Sequence, residues 1–370
     1  MIKKLILATI AFSSLSLLSA QNVFQGKMDK NSVAQVCDTV SSWQIKNHSL
    51  CKHNKLDWTS GTLYRGMVEW GQVGANKSCI EFVSEIGKSH KWNMYKRPLH
   101  ADDICVGQAF IELFRITGDK TIIQPTIERA FYVASHPSNA PLLKTDKIGK
   151  DERWSWCDAL FMAPPVYAAL YTITGEKLYV DYMDAEYKAC VDALYDEQEK
   201  LFYRDCKRIH LREPNGAKQL WGRGNGWVFG GLPLVIQNLP KSHPTRDYYI
   251  NLFKDMATAV LKTQDKNGSW HSSLLDPVSY PLPENSASAF FCYGLAWGIN
   301  NNYLSEPAYY KALEKGWAAL VSGVHSDGKL GYIQPVGAAP KKEVGFESTD
   351  IYGVGAFLLA GSEIYKMSNK

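Results

Sequence analysis

The chain has 370 residues and 45% hydrophobic content, enough to bury a sizeable core in one large domain or two ordinary ones. Its 41 basic and 37 acidic residues give a formal charge of +4 at pH 7 with no Lys/Arg cluster, which argues against a nucleic-acid partner. Aromatics reach 12%, with 11 Trp; they serve the core and also suit a cleft where apolar sugar faces stack on rings.

The chain opens MIKKLILATIAFSSLSLLSAQN. Lys3 and Lys4, an apolar run to Leu18, and then Ser19 and Ala20 predict a signal peptide over residues 1–20, cleaved after Ala20. The run is too short and too polar in its middle for a stable membrane span, and no later stretch is long and apolar enough, so no membrane partner is expected. No linker rich in Pro, Gly or Ser follows, and residues 21–370 read as a single domain. All 8 cysteines lie in that part, without CxxC or zinc spacing. Cys105, Cys190 and Cys292 sit in apolar runs as small buried hydrophobes, and Cys37 pairs with Cys51 as a candidate disulfide.

Two segments resemble each other, DDICVGQAFIELFRITGDKTII at 102–123 and CDALFMAPPVYAALYTITGEKLYV at 157–180. Each carries an aspartate at its start, runs through a helical pattern, and breaks at ITGD or ITGE. There glycine stops one helix and an acidic residue starts the next. The prolines of MAPP predict a distortion early in the second helix. The same style continues downstream. NGWVFGGLPLVIQNL, SASAFFCYGLAWGINN and DIYGVGAFLLAGSEIYKM, rich in Gly, Ala and aromatics, predict inner helices. YYINLFKDMATAVLKTQ and EPAYYKALEKGWAALVSGV, with Lys and Glu on one side, predict outer partners. Strand signals are few, chiefly GKLGYIQPV. Hairpins recurring about every fifty residues indicate a closed helical array, and six of them would make an all-α, (α/α)6 barrel.

In such a barrel the inner helices start at one rim. Asp102, Asp103, Asp158, Arg223, Asn225 and Glu284 all stand at such starts and are expected to converge on one cleft. An aspartate there is commonly a helix cap. Asp158, in RWSWCDALFMAPP, is instead ringed by Trp154, Trp156 and Phe161, and an apolar setting keeps a carboxyl available as an acid. Asp102 and Asp103 are close enough to shift one another, and the sequence does not separate them. In WGRGNGW, Arg223 suits a bidentate grip on a carboxylate, Gly224 and Gly226 allow close approach, and Trp221 or Trp227 suits a sugar ring, although Asn225 also fits a loop feeding a helix. A negatively charged sugar fits this set best. His210 and His271 read as ordinary surface histidines. HExxH, the P-loop, GxSxG and the Rossmann fingerprint are absent from the sequence.

WCDALFMAPP, RGNGW and ENSASAFFCYGLAWGIN followed by YGVGAFLLAG together resemble glycoside hydrolase family 105, the unsaturated rhamnogalacturonyl hydrolases, related to the unsaturated glucuronyl hydrolases of family 88. The resemblance runs from about Trp58 to the C-terminus. It implies a six-hairpin (α/α)6 barrel and removal of a Δ4,5-unsaturated uronic acid, with galacturonyl expected, from lyase-generated oligosaccharides. It implies Asp158 as the catalytic acid/base, helped by Asp102 or Asp103, and a uronate subsite at Arg223 and Trp227. Asn225, Trp221 and Trp156 are the further candidate substrate contacts. Where some members have a histidine, LFYRD places Arg204 and Asp205. Hydration of the double bond calls for no metal and no organic cofactor. Short oligosaccharide substrates make the periplasm the expected place of an exported protein. Two other readings share the same residues: an ordinary glycosidase using Asp158 with Glu284, and a glycan-binding protein without turnover.

Overall fold

The computed structural model describes residues 23–142 and 152–367. The signal-peptide reading falls on residues 1–20, outside the described residues. The helices, in chain order, are α1 (Lys30–Asn47), α2 (Trp58–Val73), α3 (Lys77–Ser89), α4 (Gly107–Thr117), α5 (Gln124–Ser135), α6 (Ala159–Met162) and α7 (Pro164–Thr174). They continue with α8 (Lys177–Leu194), α9 (Gly222–Ile236), α10 (Arg246–Thr263), α11 (Asn285–Asn300), α12 (Pro307–Ser322) and α13 (Ile351–Met367).

Inner and outer helices alternate along the chain. α2, α4, α7, α9, α11 and α13 each pack on the next, and α13 packs back on α2, closing a ring. Every residue of α9 is buried, as expected of a helix apolar on all sides. α3 buries Cys79, Val83 and Gly87, packs Ile80, Phe82 and Ile86 partly against the core, and exposes Lys77, Glu81, Glu85 and Lys88, the pattern of an outer helix. The arrangement is the expected all-α (α/α)6 barrel.

Local chemistry explains the breaks. α4 and α7 both stop at a glycine in the left-handed region, Gly118 at φ 72° and Gly175 at φ 78°. Asp119 then caps the following 3-10 turn, whereas Glu176 starts α8 without a side-chain cap. Pro164 and Pro165 open α7 after the single turn of α6, because a proline lacks the N–H that would continue the helix. Ring closure depends on Gly66 of α2 meeting Gly355 of α13. A Cβ built on Gly66 would lie 2.1 Å from the Gly355 carbonyl oxygen.

Some expectations are corrected. GKLGYIQPV forms no strand. Only a bridge between Val324 and Leu330 touches it, and the one two-stranded sheet among the described residues pairs β1 (Tyr195–Asp196) with β2 (Leu201–Phe202). Cys37 and Cys51 are not bridged; all eight cysteines are free thiols. Cys37 is buried beside Gly361 in the contact between α1 and α13, while Cys51 lies partly exposed after α1. Cys105, Cys190 and Cys292 are buried as small hydrophobes. His271 is not on the surface: it is buried, with Nδ1 3.1 Å from the Leu282 carbonyl and Nε2 3.2 Å from Asp265.

Candidate active site

A cleft of about 390 Å³ opens where the loops before α4 and α6 meet the loop after β2. His100, Asp102, Trp156, Arg204, Lys207 and Arg208 are among the residues lining it. Two segments are fastened together at its wall. The Cys157 N–H donates to the Arg204 carbonyl at 2.9 Å, and Trp156 pairs with Asp205 in an antiparallel bridge. This pairing sets Asp158 beside Arg204, with Arg204 Nε 3.3 Å from Asp158 Oδ2 and Nη1 2.8 Å from Asp205 Oδ2. Burial works against the Arg204 charge, but the Asp158 and Asp205 carboxylates outweigh it and raise its pKa.

Asp158 directly precedes α6 yet caps nothing: it has helical backbone angles and no side-chain bond to a helix N–H. Its Oδ2 instead faces Arg204 and accepts from the Cys157 thiol at 3.6 Å. Asp102 sits in a 3-10 turn, and its backbone N–H donates to His100 Nδ1 at 3.2 Å. Burial, with the charge of Asp158 adding to it, pushes the Asp102 carboxyl up to about 6, although His100 pulls the other way. Asp102 and Asp158 therefore form an interacting pair of carboxyls, one disposed to keep a proton and the other held beside a guanidinium.

The structure separates what the sequence left joined. Asp103 points away from the cleft and is buried against Arg97, accepting from its backbone N at 2.7 Å, Nε at 3.0 Å and Nη2 at 2.6 Å. Trp156 lines the cleft with its ring 4.9 Å from that of His100.

The RGNGW side chains do not line this cleft, although Gly224 packs against Cys157, the residue before Asp158. Arg223 is buried between the rings of Trp221 and Tyr352, 4.5 and 4.9 Å from their centroids. Its guanidinium donates to the Tyr352 hydroxyl at 2.8 Å and to the carbonyls of Gln334, Pro335 and Gly337. It thus anchors the loop whose Ala338 reaches the cleft. Trp221 donates to Gln334 Oε1 at 3.1 Å, and Trp227 packs in the core 4.6 Å from Phe290. Asn225 clamps β2, accepting from Phe202 N at 2.7 Å and donating to Phe202 O at 3.0 Å. Glu284 caps α11 through Ser286 N and Ala287 N and accepts from Gln334 N as well, so its carboxylate is spent inside the fold.

His100, Asp205, Lys207 and Arg208 complete the wall and were not among the candidate site residues read from the sequence. The run RDCKR at 204–208, four charges in five positions beside the aromatic LFY, was the available signal.

The sequence profile of Glycosyl Hydrolase Family 88 matches residues 32–368. An "Unsaturated 3S-rhamnoglycuronyl hydrolase" of Formosa agariphila is 36% identical over 334 residues, covering 88% of this chain and 88% of its own. A solved structure described as a glycosyl hydrolase family 88 protein from Bacteroides vulgatus superposes with a TM-score of 0.82 at 30% identity, covering 91% of this chain and 99% of its own. A possible GH105 family member from Salmonella enterica shares the fold, with a TM-score of 0.73 at 18% identity over 91% of this chain and 94% of its own.

Proposed function

This chain belongs to Glycosyl Hydrolase Family 88 and is a glycoside hydrolase for unsaturated uronyl substrates, and from that premise we propose that it hydrates the C4=C5 bond of a non-reducing-end unsaturated uronide with Asp158 and Asp102 as its proton-transfer pair. The observation that carries this reading is Arg204, which lines one cleft with Asp102 and holds its guanidinium 3.3 Å from Asp158.

The substrate's C4=C5–O unit is an enol ether. A proton added at C4 leaves oxocarbenium character at C5, water adds there, and the resulting hemiketal opens. The C1 hemiacetal left behind expels the next sugar as an alcohol, so one water is consumed and no carboxylate need straddle the glycosidic oxygen. In the unliganded cleft burial raises the Asp102 carboxyl, and Arg204 stands as the counter-charge beside Asp158. An entering sugar carboxylate competes for the same guanidinium. As Arg204 turns to it, Asp158 receives a proton from Asp102, delivers it to C4 and takes one back from the attacking water. Arg204 takes the place of the buried Arg223 as the carboxylate holder, with Lys207 and Arg208 adding positive charge to the wall.

Elimination across C4–C5 erases the stereocentres at both carbons. Unsaturated residues derived from galacturonate, glucuronate or iduronate are therefore the same residue, and selectivity is exercised on the linkage and the neighbouring sugar. We assign first place to a rhamnose-linked substrate, supported by the name of the Formosa protein; a galacturonan-type or glucuronan-type origin would show only through the rest of the chain. Export, supported by the residue 1–20 pattern, belongs to the same proposal.

The test is to mix the protein with unsaturated disaccharides from lyase-cut polymers and follow the ultraviolet absorbance of the conjugated bond. Loss of absorbance with the wild type and none with Asp158→Asn is the expected result. Release of sugar from saturated glycosides only would overturn the reading in favour of an ordinary glycosidase.

A further inference from the structure

The catalytic cleft is not the largest cavity at this rim. A second, of about 630 Å³, lies on the other side of His100, which lines both. Its wall is a continuation of the segment that carries Asp102, running back through Leu99 and Pro98 to Arg97 and Lys96, with Tyr132 of α5 facing them. None of these positions is used by the chemistry derived above.

Three features give this cavity a chemical character. Tyr132 keeps 52% of its surface exposed, although its ring is stacked on His136 at 5.0 Å, so one aromatic face is held in place at the edge of an open space. Its apolar lining comes from Pro98 and Leu99, and its charged groups are Lys96 and Glu152, with Arg97 already paired to Asp103. Glu152 accepts from the Ser138 hydroxyl at 2.8 Å, while Arg97 is pinned by Asp103, so the wall is fixed from behind. An aromatic platform beside a lysine, with a short apolar floor, suits a sugar bearing a carboxylate or an ester of similar charge.

We propose that this cavity is a second glycan subsite, which takes the acidic residue lying beyond the sugar released at the catalytic cleft. The inference rests on the hydrolase reading above and extends it. In a polymer that alternates acidic and neutral sugars, the unsaturated end occupies the cleft at Asp102 and Asp158. The neutral sugar crosses His100, and the next acidic sugar meets Lys96 and Tyr132. The substrate class is then an anionic oligosaccharide longer than a disaccharide. Asp103 acquires a role as the residue that positions the connecting wall through Arg97.

The experiment compares unsaturated disaccharide with unsaturated tetrasaccharide from the same lyase-cut rhamnoglycuronan. Wild type is expected to show kcat/KM about tenfold higher on the tetrasaccharide, the size of effect that one partly exposed cation–carboxylate contact and one stacked ring supply together. That ratio should fall toward one in Lys96→Ala and in Tyr132→Ala, and should shrink with added salt. A wild-type ratio near one, or variants that retain the wild-type ratio, overturns the subsite. If neither oligosaccharide is turned over, the hydrolase reading fails instead. Calorimetric binding of the tetrasaccharide to wild type and Lys96→Ala then decides the subsite by itself: weaker binding in the variant upholds it, and equal binding removes it.

Discussion

Asp102→Asn should make the protein more stable in alkaline solution while removing its activity. The Asp102 side chain is only 16% exposed, and burial with the neighbouring Asp158 charge lifts its carboxyl from the ordinary 3.8 to about 6. Between those values the native state binds more protons than the unfolded chain, so stability falls as pH rises through that window and stays lower above it. At 1.36 kcal/mol per pH unit, the gap from 3.8 to about 6 corresponds to about 3 kcal/mol at pH 8. An asparagine is neutral at every pH and escapes that cost. Thermal melts followed by circular dichroism should show Asp102→Asn above wild type by on the order of 5 °C at pH 8, with the difference shrinking toward pH 5. Turnover of the unsaturated disaccharide should drop at least about a hundredfold in the same variant, as for loss of a proton-transfer partner. A melting shift equal at both pH values, or a variant less stable at pH 8 than at pH 5 relative to wild type, would refute the assignment of a raised carboxyl here.

Other perturbations follow from the same contacts. Arg204→Ala removes the counter-charge of Asp158 and the proposed carboxylate holder together; kcat/KM on the disaccharide should fall about a hundredfold or more, with KM raised, by steady-state kinetics. Asn225→Ala breaks the clamp on β2 and should cost about 2–4 kcal/mol in urea denaturation, since it leaves the buried Phe202 N–H and C=O without their partner. Glu284→Ala should also lose stability, by about 3 kcal/mol, because three backbone N–H donors lose their acceptor; a folded, fully stable but inactive variant would restore the ordinary-glycosidase reading. Gly66→Ala should destabilise by about 3 kcal/mol or more, as a methyl group is driven against the backbone of α13.

Much of the architecture was legible because burial leaves a periodic trace. Helices α9 to α13 fall within a residue or three of the apolar runs that announced them, and Gly118 and Gly175 stop their helices by the one conformation a glycine tolerates best. Polar residues at helix starts were harder to read. Asp102 and Asp103 are adjacent and chemically alike, and what separates them is Arg97, whose approach depends on a loop path that no periodicity encodes. Arg223 looked like a ligand clamp because an arginine between glycines and tryptophans needs an acceptor. The acceptors it finds are carbonyls more than a hundred residues away, at 334–337. The same distance in sequence hid the pairing of residues 156–157 with 204–205, which brings Arg204 to Asp158. Local chemistry announces that a polar group will be engaged; the fold decides by what.

The seam between α2 and α13 also places a demand on the timing of synthesis. The two helices that close the ring are separated by nearly the whole chain, Trp58 being made almost three hundred residues before Ile351. At roughly 5–20 residues per second, α2 waits on the order of 15–60 s for its partner to emerge. Throughout that interval the glycine-lined flank at Gly66 has no neighbour, and the emerging hairpins form an open arc with one raw edge. A ribosome that pauses late in the message prolongs the exposure of that edge, and a chaperone that shields helical arcs shortens its consequences.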